Sequence, residues 1–158
     1  VQMPANRTTR QDRLLPQQVR VATVQFQMRR ISSIEEFEEQ IEYFVDVASD
    51  AKSDFVTFPE LFTNQLLAID KKLSASEGIN KLTQYTERYK SFMSKLAVAY
   101  NINIVGGSHL TLSGNGSLRN TCYVFLRDGA VHAQDKLHPT PSEKEAWNLE
   151  GGEGAASV

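Results

Sequence analysis

The chain has 158 residues, of which 41% are hydrophobic and 23% charged, a composition typical of one globular domain with a sizeable core. Its formal charge of −2 provides no long-range field to attract nucleic acid or an anionic membrane, so we expect neither as a partner. The absence of a long apolar run or a secretion signal, together with a single cysteine, Cys122, favours a cytoplasmic protein without internal disulfides.

Two regions of different composition divide the chain. Residues 1–18 hold three arginines and two prolines, have few large apolar side chains and show no periodicity, so they are predicted to be a linker or tail. Residues 19–158 are predicted to form the folded domain. The segment 19–27 is apolar and rich in β-branched residues, as expected for a core strand covered on both faces.

An amphipathic helix is predicted next, because apolar and acidic residues occupy opposite faces at helical spacing. Ser32 and Ser33 each precede a glutamate by three residues and can form a capping box. The segment 54–58 then reads as a second strand, which ends directly before Pro59 and Glu60. A strand, helix and strand in this order indicate a parallel pair, in which functional groups gather at the carboxyl ends of the strands.

The remaining segments are predicted to be one further helix followed by strands and turns. A helix is predicted over 79–100, a strand over 102–110, a tight turn over 114–117, and strands over 120–126 and 130–137. Together these elements predict an α/β fold with a mixed sheet.

Two ionisable side chains follow predicted strands and are candidates for catalysis. Glu60 lies among apolar neighbours that are expected to desolvate its carboxylate partly, which suits a general base; the alternative is a glutamate that caps the following helix. Lys136 could stabilise an oxyanion, or could simply be a solvated lysine at a strand end. Cys122 lies within an apolar strand and is predicted to be a packed core residue rather than a nucleophile, and His138 is predicted to be structural.

The sequences FPELF at 58–62 and KLHPTPSEKEAW at 136–147 resemble the nitrilase superfamily of carbon–nitrogen hydrolases. The resemblance implies a four-layer α-β-β-α sandwich, of which about the first half is present. It also implies a cofactor-free and metal-free Glu-Lys-Cys mechanism acting on a small amide or nitrile, with Glu60, Lys136 and Glu143 as catalytic residues. Glu145 is the competing candidate, and the resemblance favours Glu143. The non-functional alternative for this segment is a simple capping box formed by Ser142 and Glu145.

In proteins of this superfamily the nucleophilic cysteine follows the lysine motif, so the resemblance places it beyond residue 158. We therefore expect the chain alone to be inactive. The alternative is a non-catalytic remnant or interaction module that pairs with another chain. The resemblance further implies self-association as a homo-oligomer, and the opening segment is similar to bacterial members in which this domain follows an acetyltransferase domain.

Overall fold

A computed structural model describes residues 18–70 and 73–155; the predicted linker or tail, apart from Gln18, lies outside the described residues. Within them the strands are β1 (Val21–Thr23), β2 (Phe55–Thr57), β3 (Asn103–Val105), β4 (His109–Leu112), β5 (Leu118–Phe125) and β6 (Val131–Asp135). The helices are α1 (Ile34–Asp50), a 3-10 helix (Phe62–Ala68), α2 (Ala75–Gln84), α3 (Thr86–Ala99) and α4 (Pro141–Trp147).

The strands form one mixed sheet, which confirms the predicted α/β class. β1, β2 and β3 are parallel neighbours, as the strand–helix–strand order predicted. β5 runs antiparallel to β3 and β4 along one edge and to β6 along the other. Val105, which lies at the end of β3 and beside the end of β2, pairs with Val124 of β5. Asp135, at the end of β6, pairs with Thr121 of β5. The carboxyl ends of β2 and β6 therefore lie close to the same part of β5.

Side chains alternate between the two faces of this sheet. One face carries fully buried residues, Val56, Ile104 and Phe125, and is covered by α1 and α3. Side chains on the other face, such as Val105 and Val124, are only half-buried in the described chain. We call this second face, which also carries Asn120 and Cys122, the open face.

An aromatic cluster fixes the chain around residues 58–62. Phe62 is fully buried, and its ring lies 5.1 Å from that of Phe58 and 5.3 Å from that of Phe26. Phe37 stacks on Phe62 at 5.6 Å, and Tyr89 packs edge-on against it. Such contacts bury large apolar areas and contribute roughly 0.5–1.5 kcal/mol per pair beyond burial. The turn between Phe58 and Phe62 is therefore anchored at both ends.

Several predicted boundaries are wrong, and long-range contacts explain the differences. The strand predicted over 19–27 ends at Thr23, because Phe26 leaves the sheet to join the aromatic cluster. The helix predicted over 79–100 is two helices broken at Tyr85, where the hydroxyl of Thr86 bonds both to a helix carbonyl and to His109. The strand predicted over 102–110 is β3 and β4, separated at Gly106 and Gly107.

One half of the capping box predicted for α1 is confirmed, namely the serine side chain that accepts from the helix backbone. Ser33 is the N-cap and accepts a hydrogen bond from the backbone N–H of Glu36. The carboxylate of Glu36, however, accepts from the N–H and hydroxyl of Ser32 instead of returning to the cap residue. Both serines thus stabilise the first turn of the helix.

Gly107 has a φ of +60°, and a Cβ built there would lie 2.2 Å from the carbonyl oxygen of Pro59. We expect Gly107→Ala to lower the free energy of unfolding by about 2 kcal/mol or more, because it adds both backbone strain and a clash with main chain. Chemical denaturation measures the loss. Gly114→Ala is the control: a Cβ at that turn meets open space, so its stability is expected to stay within about 0.5 kcal/mol of wild type. Equal effects of the two substitutions would contradict the prediction.

Candidate active site

Glu60 lies on the tight turn that follows β2, and contacts of the turn's backbone with residues 107 and 108 fix its conformation. The carbonyl of Pro59 packs against Gly107, and the N–H of Leu61 donates to the hydroxyl of Ser108 at 3.0 Å. Leu61 has a φ of +53°, a left-handed conformation that a bulky residue seldom adopts. The surrounding contacts therefore impose the direction in which Glu60 leaves the sheet.

The predicted desolvation of Glu60 is wrong for the described chain. Its side chain is 57% exposed, because the flanking rings of Phe58 and Phe62 turn into the core and not towards the carboxylate. The alternative interpretation, a helix cap, is also wrong. The following 3-10 helix has Leu61 as its N-cap and no side-chain capping bond.

Lys136 follows β6 and meets both candidate carboxylates. Its backbone N–H donates to the carbonyl of Asn120, and its carbonyl accepts from the N–H of Gly152. Its Nζ lies 3.0 Å from Glu60 Oε1 and 3.0 Å from Glu143 Oε1. These carboxylates raise the pKa of Lys136, Glu143 having the larger effect, so the amine is a cation at neutral pH.

Glu143 lies in the first turn of α4 and uses both of its oxygens. Oε1 accepts from Lys136, while Oε2 accepts from the N–H of Thr140 at 2.7 Å and from its hydroxyl at 3.0 Å. Burial acts to raise the pKa of Glu143, but the hydrogen bonds from Thr140 and Lys136 outweigh it, so the pKa lies below its ordinary value. The capping box consists of Thr140 and Glu143, so the alternative pairing of Ser142 with Glu145 does not form.

Asn120 is a member of the cluster that sequence reasoning missed. It lies on β5, is 2% exposed, and donates from Nδ2 to Glu60 Oε1 at 2.8 Å. The available signal was a polar residue at the start of the apolar segment NTCYVFL, which is unremarkable unless the facing strand is known. The structure thus brings Glu60, Lys136 and Glu143 together and adds a buried amide.

A cavity of about 320 Å³ opens beside these groups on the open face. Its volume is at the lower end of the range for small-molecule sites. Phe58 and Val105 provide apolar surface, and the polar lining includes Glu60, Ser108, Asn120, Gln134 and Lys136. A larger groove of about 490 Å³ between α1 and α3 is lined mainly by charged surface residues and lies away from this cluster.

Cys122 also lines the cavity and is half-buried, so the prediction of a packed core residue is only partly right. Burial raises the pKa of its thiol, which disfavours the reactive thiolate. Its recorded hydrogen bond is a long one, 3.9 Å from Sγ to the carbonyl of Tyr123. Among the described residues, no cluster of three or more histidine, cysteine, aspartate or glutamate side chains is arranged to hold a metal ion.

The two carboxylates are expected to influence Lys136 unequally. Glu143→Gln should lower the pKa of Lys136 more than Glu60→Gln does, because the Glu143 side chain is 10% exposed and the Glu60 side chain 57% exposed. Water screens the more exposed pair more strongly. NMR titration of the Lys136 side-chain nitrogen measures both shifts, with Glu145→Gln as the control that leaves this pKa unchanged. A larger effect from Glu60→Gln would contradict the prediction.

The α/β fold with its open mixed sheet matches that of solved structures from the nitrilase superfamily. Solved structures with this fold include a carbon–nitrogen hydrolase from Helicobacter pylori G27 (TM-score 0.66, 20% identity, covering 85% of this chain and 45% of that one). Nit3 from Saccharomyces cerevisiae, a member of branch 10 of the superfamily, matches with a TM-score of 0.65 and 22% identity over 89% of this chain and 51% of its own. An amidase from Nesterenkonia sp. matches with a TM-score of 0.65 and 20% identity, covering 86% and 49%.

The chain belongs to the carbon–nitrogen hydrolase family, whose model matches residues 20–153. A curated relative, the probable hydrolase YhcX of Bacillus subtilis (strain 168), is 47% identical over 135 residues. This match covers 85% of the present chain but 26% of YhcX. The chain thus spans about a quarter of that relative and about half of the solved structures. Of the helices in the described residues, none is both long and apolar enough to cross a membrane.

Proposed function

We propose that residues 19–158 supply the acid-and-amine part of an amidase- or nitrilase-like active site. The observation that supports this most strongly is the position of Lys136 Nζ, 3.0 Å from a carboxylate oxygen of both Glu60 and Glu143. Glu60 and Lys136 are 76 residues apart in sequence, yet they meet beside a cavity of about 320 Å³. A small neutral amide or nitrile is the proposed substrate, and no metal or cofactor is required for the chemistry described below.

In the proposed reaction Glu60 accepts the proton of a cysteine thiol, and the thiolate attacks the carbon of the substrate. Lys136 stabilises the negative charge that develops on the tetrahedral intermediate. Glu60 returns the proton to the nitrogen, which leaves as ammonia or an amine, and water then cleaves the thioester to release a carboxylic acid. A nitrile first forms a thioimidate and so consumes one further water. Glu143 holds Lys136 in place, and its charge helps to keep the amine protonated.

The nucleophile is proposed to come from outside residues 1–158. Cys122 is the single cysteine of the sequence, and burial raises the pKa of its thiol. Structures of the Nesterenkonia amidase include one with acrylamide joined by Michael addition to that enzyme's active-site cysteine. A cysteine that enters the present cavity from another segment would complete the proposed set of glutamate, lysine and cysteine. The 158-residue chain alone is accordingly expected to be inactive.

The test compares two proteins for release of ammonia from small amides and nitriles. The 158-residue chain is expected to show no turnover, whereas the same chain extended by whatever sequence is encoded after Val158 is expected to hydrolyse at least one substrate class. In the extended protein, Lys136→Met should lower kcat/KM by roughly 100- to 1000-fold, because one stabilising donor is lost. Lys144→Met, which removes an exposed lysine from α4, is the matched control and should retain activity.

Two outcomes would overturn this proposal. Turnover by the 158-residue chain that disappears in Cys122→Ala would make Cys122 the nucleophile. Equal activity of Lys136→Met and Lys144→Met in the extended protein would remove Lys136 from the reaction.

A second candidate function, an interaction module that pairs with another chain, is favoured by the exposed edge of the sheet. Among the described strands, β1 pairs with β2 alone, so its other edge is unpaired there. Val19 and Val21, on and next to this strand, are 53% and 52% exposed. An unpaired strand edge invites pairing with a second chain, including another copy of the same one. Analytical ultracentrifugation tests this: concentration-dependent association that Val21→Lys abolishes supports it, and a monomer at all concentrations contradicts it.

A further inference from the structure

The two ends of the buried Asn120 side chain differ in their surroundings. Nδ2 donates to Glu60 Oε1 at 2.8 Å, whereas Oδ1 is buried and has no hydrogen-bond partner among the described residues. This orientation follows from chemistry, because an ionised carboxylate only accepts hydrogen bonds and must face the amide nitrogen. The carbonyl is consequently left without a protein partner in the described part of the chain.

This arrangement does not favour stability of the fold. A buried carbonyl without a partner is unfavourable, and an apolar residue of similar volume would avoid that cost. What asparagine provides, and leucine cannot, is the N–H that reaches Glu60. The residue is therefore best explained by its effect on that carboxylate.

Glu60 needs such a restraint because its side chain is 57% exposed. Exposed glutamate side chains exchange among several rotamers, and ordering them has an entropic cost. Oε1 of Glu60 accepts from both Asn120 and Lys136, while Oε2 has no recorded partner among the described residues. The two donors thus hold one oxygen and leave the other available.

We propose that Asn120 is a positioning residue that fixes Glu60 Oε1, so that Oε2 is the oxygen that accepts the thiol proton. This inference rests on the proposed function of Glu60 as the base. Asn120 acts through Glu60 and does not itself touch the reacting atoms. Its substitution should affect the rate of the reaction more than the binding of substrate or the stability of the fold.

The first measurement uses the 158-residue chain and needs no activity. Asn120→Leu is expected to unfold in urea at a midpoint equal to or above that of wild type, because it removes the unpaired carbonyl. Asn103→Leu is the matched control. Asn103 is also a buried asparagine of the sheet, at 8% exposure, but its Nδ2 donates to the carbonyl of Asp54 and its Oδ1 accepts from the N–H of Arg127, so its loss should lower the midpoint.

NMR of the same chain tests the hydrogen bond from Asn120 to Glu60 directly. The side-chain NH₂ of Asn120 should exchange with water about tenfold more slowly in wild type than in Glu60→Ala, since that substitution removes its acceptor. Unchanged exchange in Glu60→Ala, or a lower unfolding midpoint for Asn120→Leu than for Asn103→Leu, would show that the amide serves the fold and not Glu60.

The second measurement uses the extended protein that carries the nucleophile. Asn120→Leu and the near-isosteric Asn120→Asp, which lacks the donor when ionised, are expected to lower kcat roughly 10- to 100-fold while KM stays within about twofold. Wild-type kcat in Asn120→Leu, with the wild type active, would overturn this inference alone. An inactive wild type would overturn the proposed function, and the stability and exchange comparisons would still decide whether Asn120 holds Glu60.

Discussion

Glu143→Ala is expected to lower the free energy of unfolding by about 2–3 kcal/mol at pH 7. The substitution removes the carboxylate half of the α4 capping box, which contributes about 1 kcal/mol, and it deprives the Lys136 amine of its less exposed partner. Glu143 is 8% exposed, so water cannot fully replace the lost carboxylate. Urea denaturation followed by far-UV circular dichroism measures the change in midpoint.

Glu145→Ala is the matched control for this prediction. Glu145 lies two residues further along the same helix but is exposed, so its removal should change the stability by less than about 0.5 kcal/mol. Glu143→Gln should fall between the two, because its amide oxygen can still accept from Thr140 while the negative charge is gone. If Glu143→Ala and Glu145→Ala were equally stable, the buried contacts of Glu143 would contribute nothing.

The places of Glu60 and Lys136 in the fold followed from local sequence patterns. Each follows a short apolar or alternating segment that becomes a strand, β2 or β6, and strand ends are where a sheet presents side chains to a ligand. The close approach of the two side chains did not follow from those patterns, because it depends on the pairing of β3 with β2 and of β5 with both β3 and β6. The motif resemblance supplied that information.

The surroundings of the site were predicted less well, for a physical reason. Exposure of Glu60 and burial of Asn120 depend on which neighbours face them, and these neighbours are distant in sequence. The break at Tyr85 is a similar case: the apolar periodicity continues through it, while contacts of Thr86 with His109 decide the geometry. The spacing of apolar residues within a helix or strand does not identify partners that are distant in sequence.

Glu143 belongs both to a helix cap and to the candidate site. The sequence suggested capping for Glu145 and a site role for Glu143, although a carboxylate has two oxygens and can serve both purposes. Here Oε2 caps α4 while Oε1 holds Lys136. The helix terminus thereby fixes the amine, so that a local stabilising motif also orders the candidate site.

His109 is expected to make the stability of the fold depend on pH. The ring is fully buried on β4, with Nδ1 2.9 Å from the hydroxyl of Thr63 and Nε2 3.1 Å from that of Thr86. Because the Thr86 hydroxyl donates to the carbonyl of Thr83, it must accept from His109, which places the ring proton on Nε2. Nδ1 then accepts from Thr63, and the neutral ring is fully satisfied.

Burial lowers the pKa of His109 from 6.5 to about 4, an effect that the nearby backbone carbonyl of Leu82 only partly opposes. Between these two values the unfolded chain binds a proton that the folded chain does not, so stability falls as the pH falls from 6.5 to 4. His109 should contribute about 3 kcal/mol to this loss, since one pKa unit corresponds to about 1.4 kcal/mol. Above pH 6.5 its contribution is constant.

Urea denaturation of wild type and His109→Gln at intervals from pH 4 to pH 7 measures the contribution of His109 to the loss of stability. We expect the variant to be less stable at pH 7, because the packing of the ring against Tyr89 at 5.2 Å is lost, but to lose about 3 kcal/mol less on acidification. The difference in slope isolates His109 from the carboxylates, which titrate equally in both proteins. His138→Gln, at an exposed imidazole, should retain the wild-type pH dependence. Parallel curves for wild type and His109→Gln would show that the buried ring does not resist protonation, and the Thr63–His109–Thr86 network would then have to open without cost.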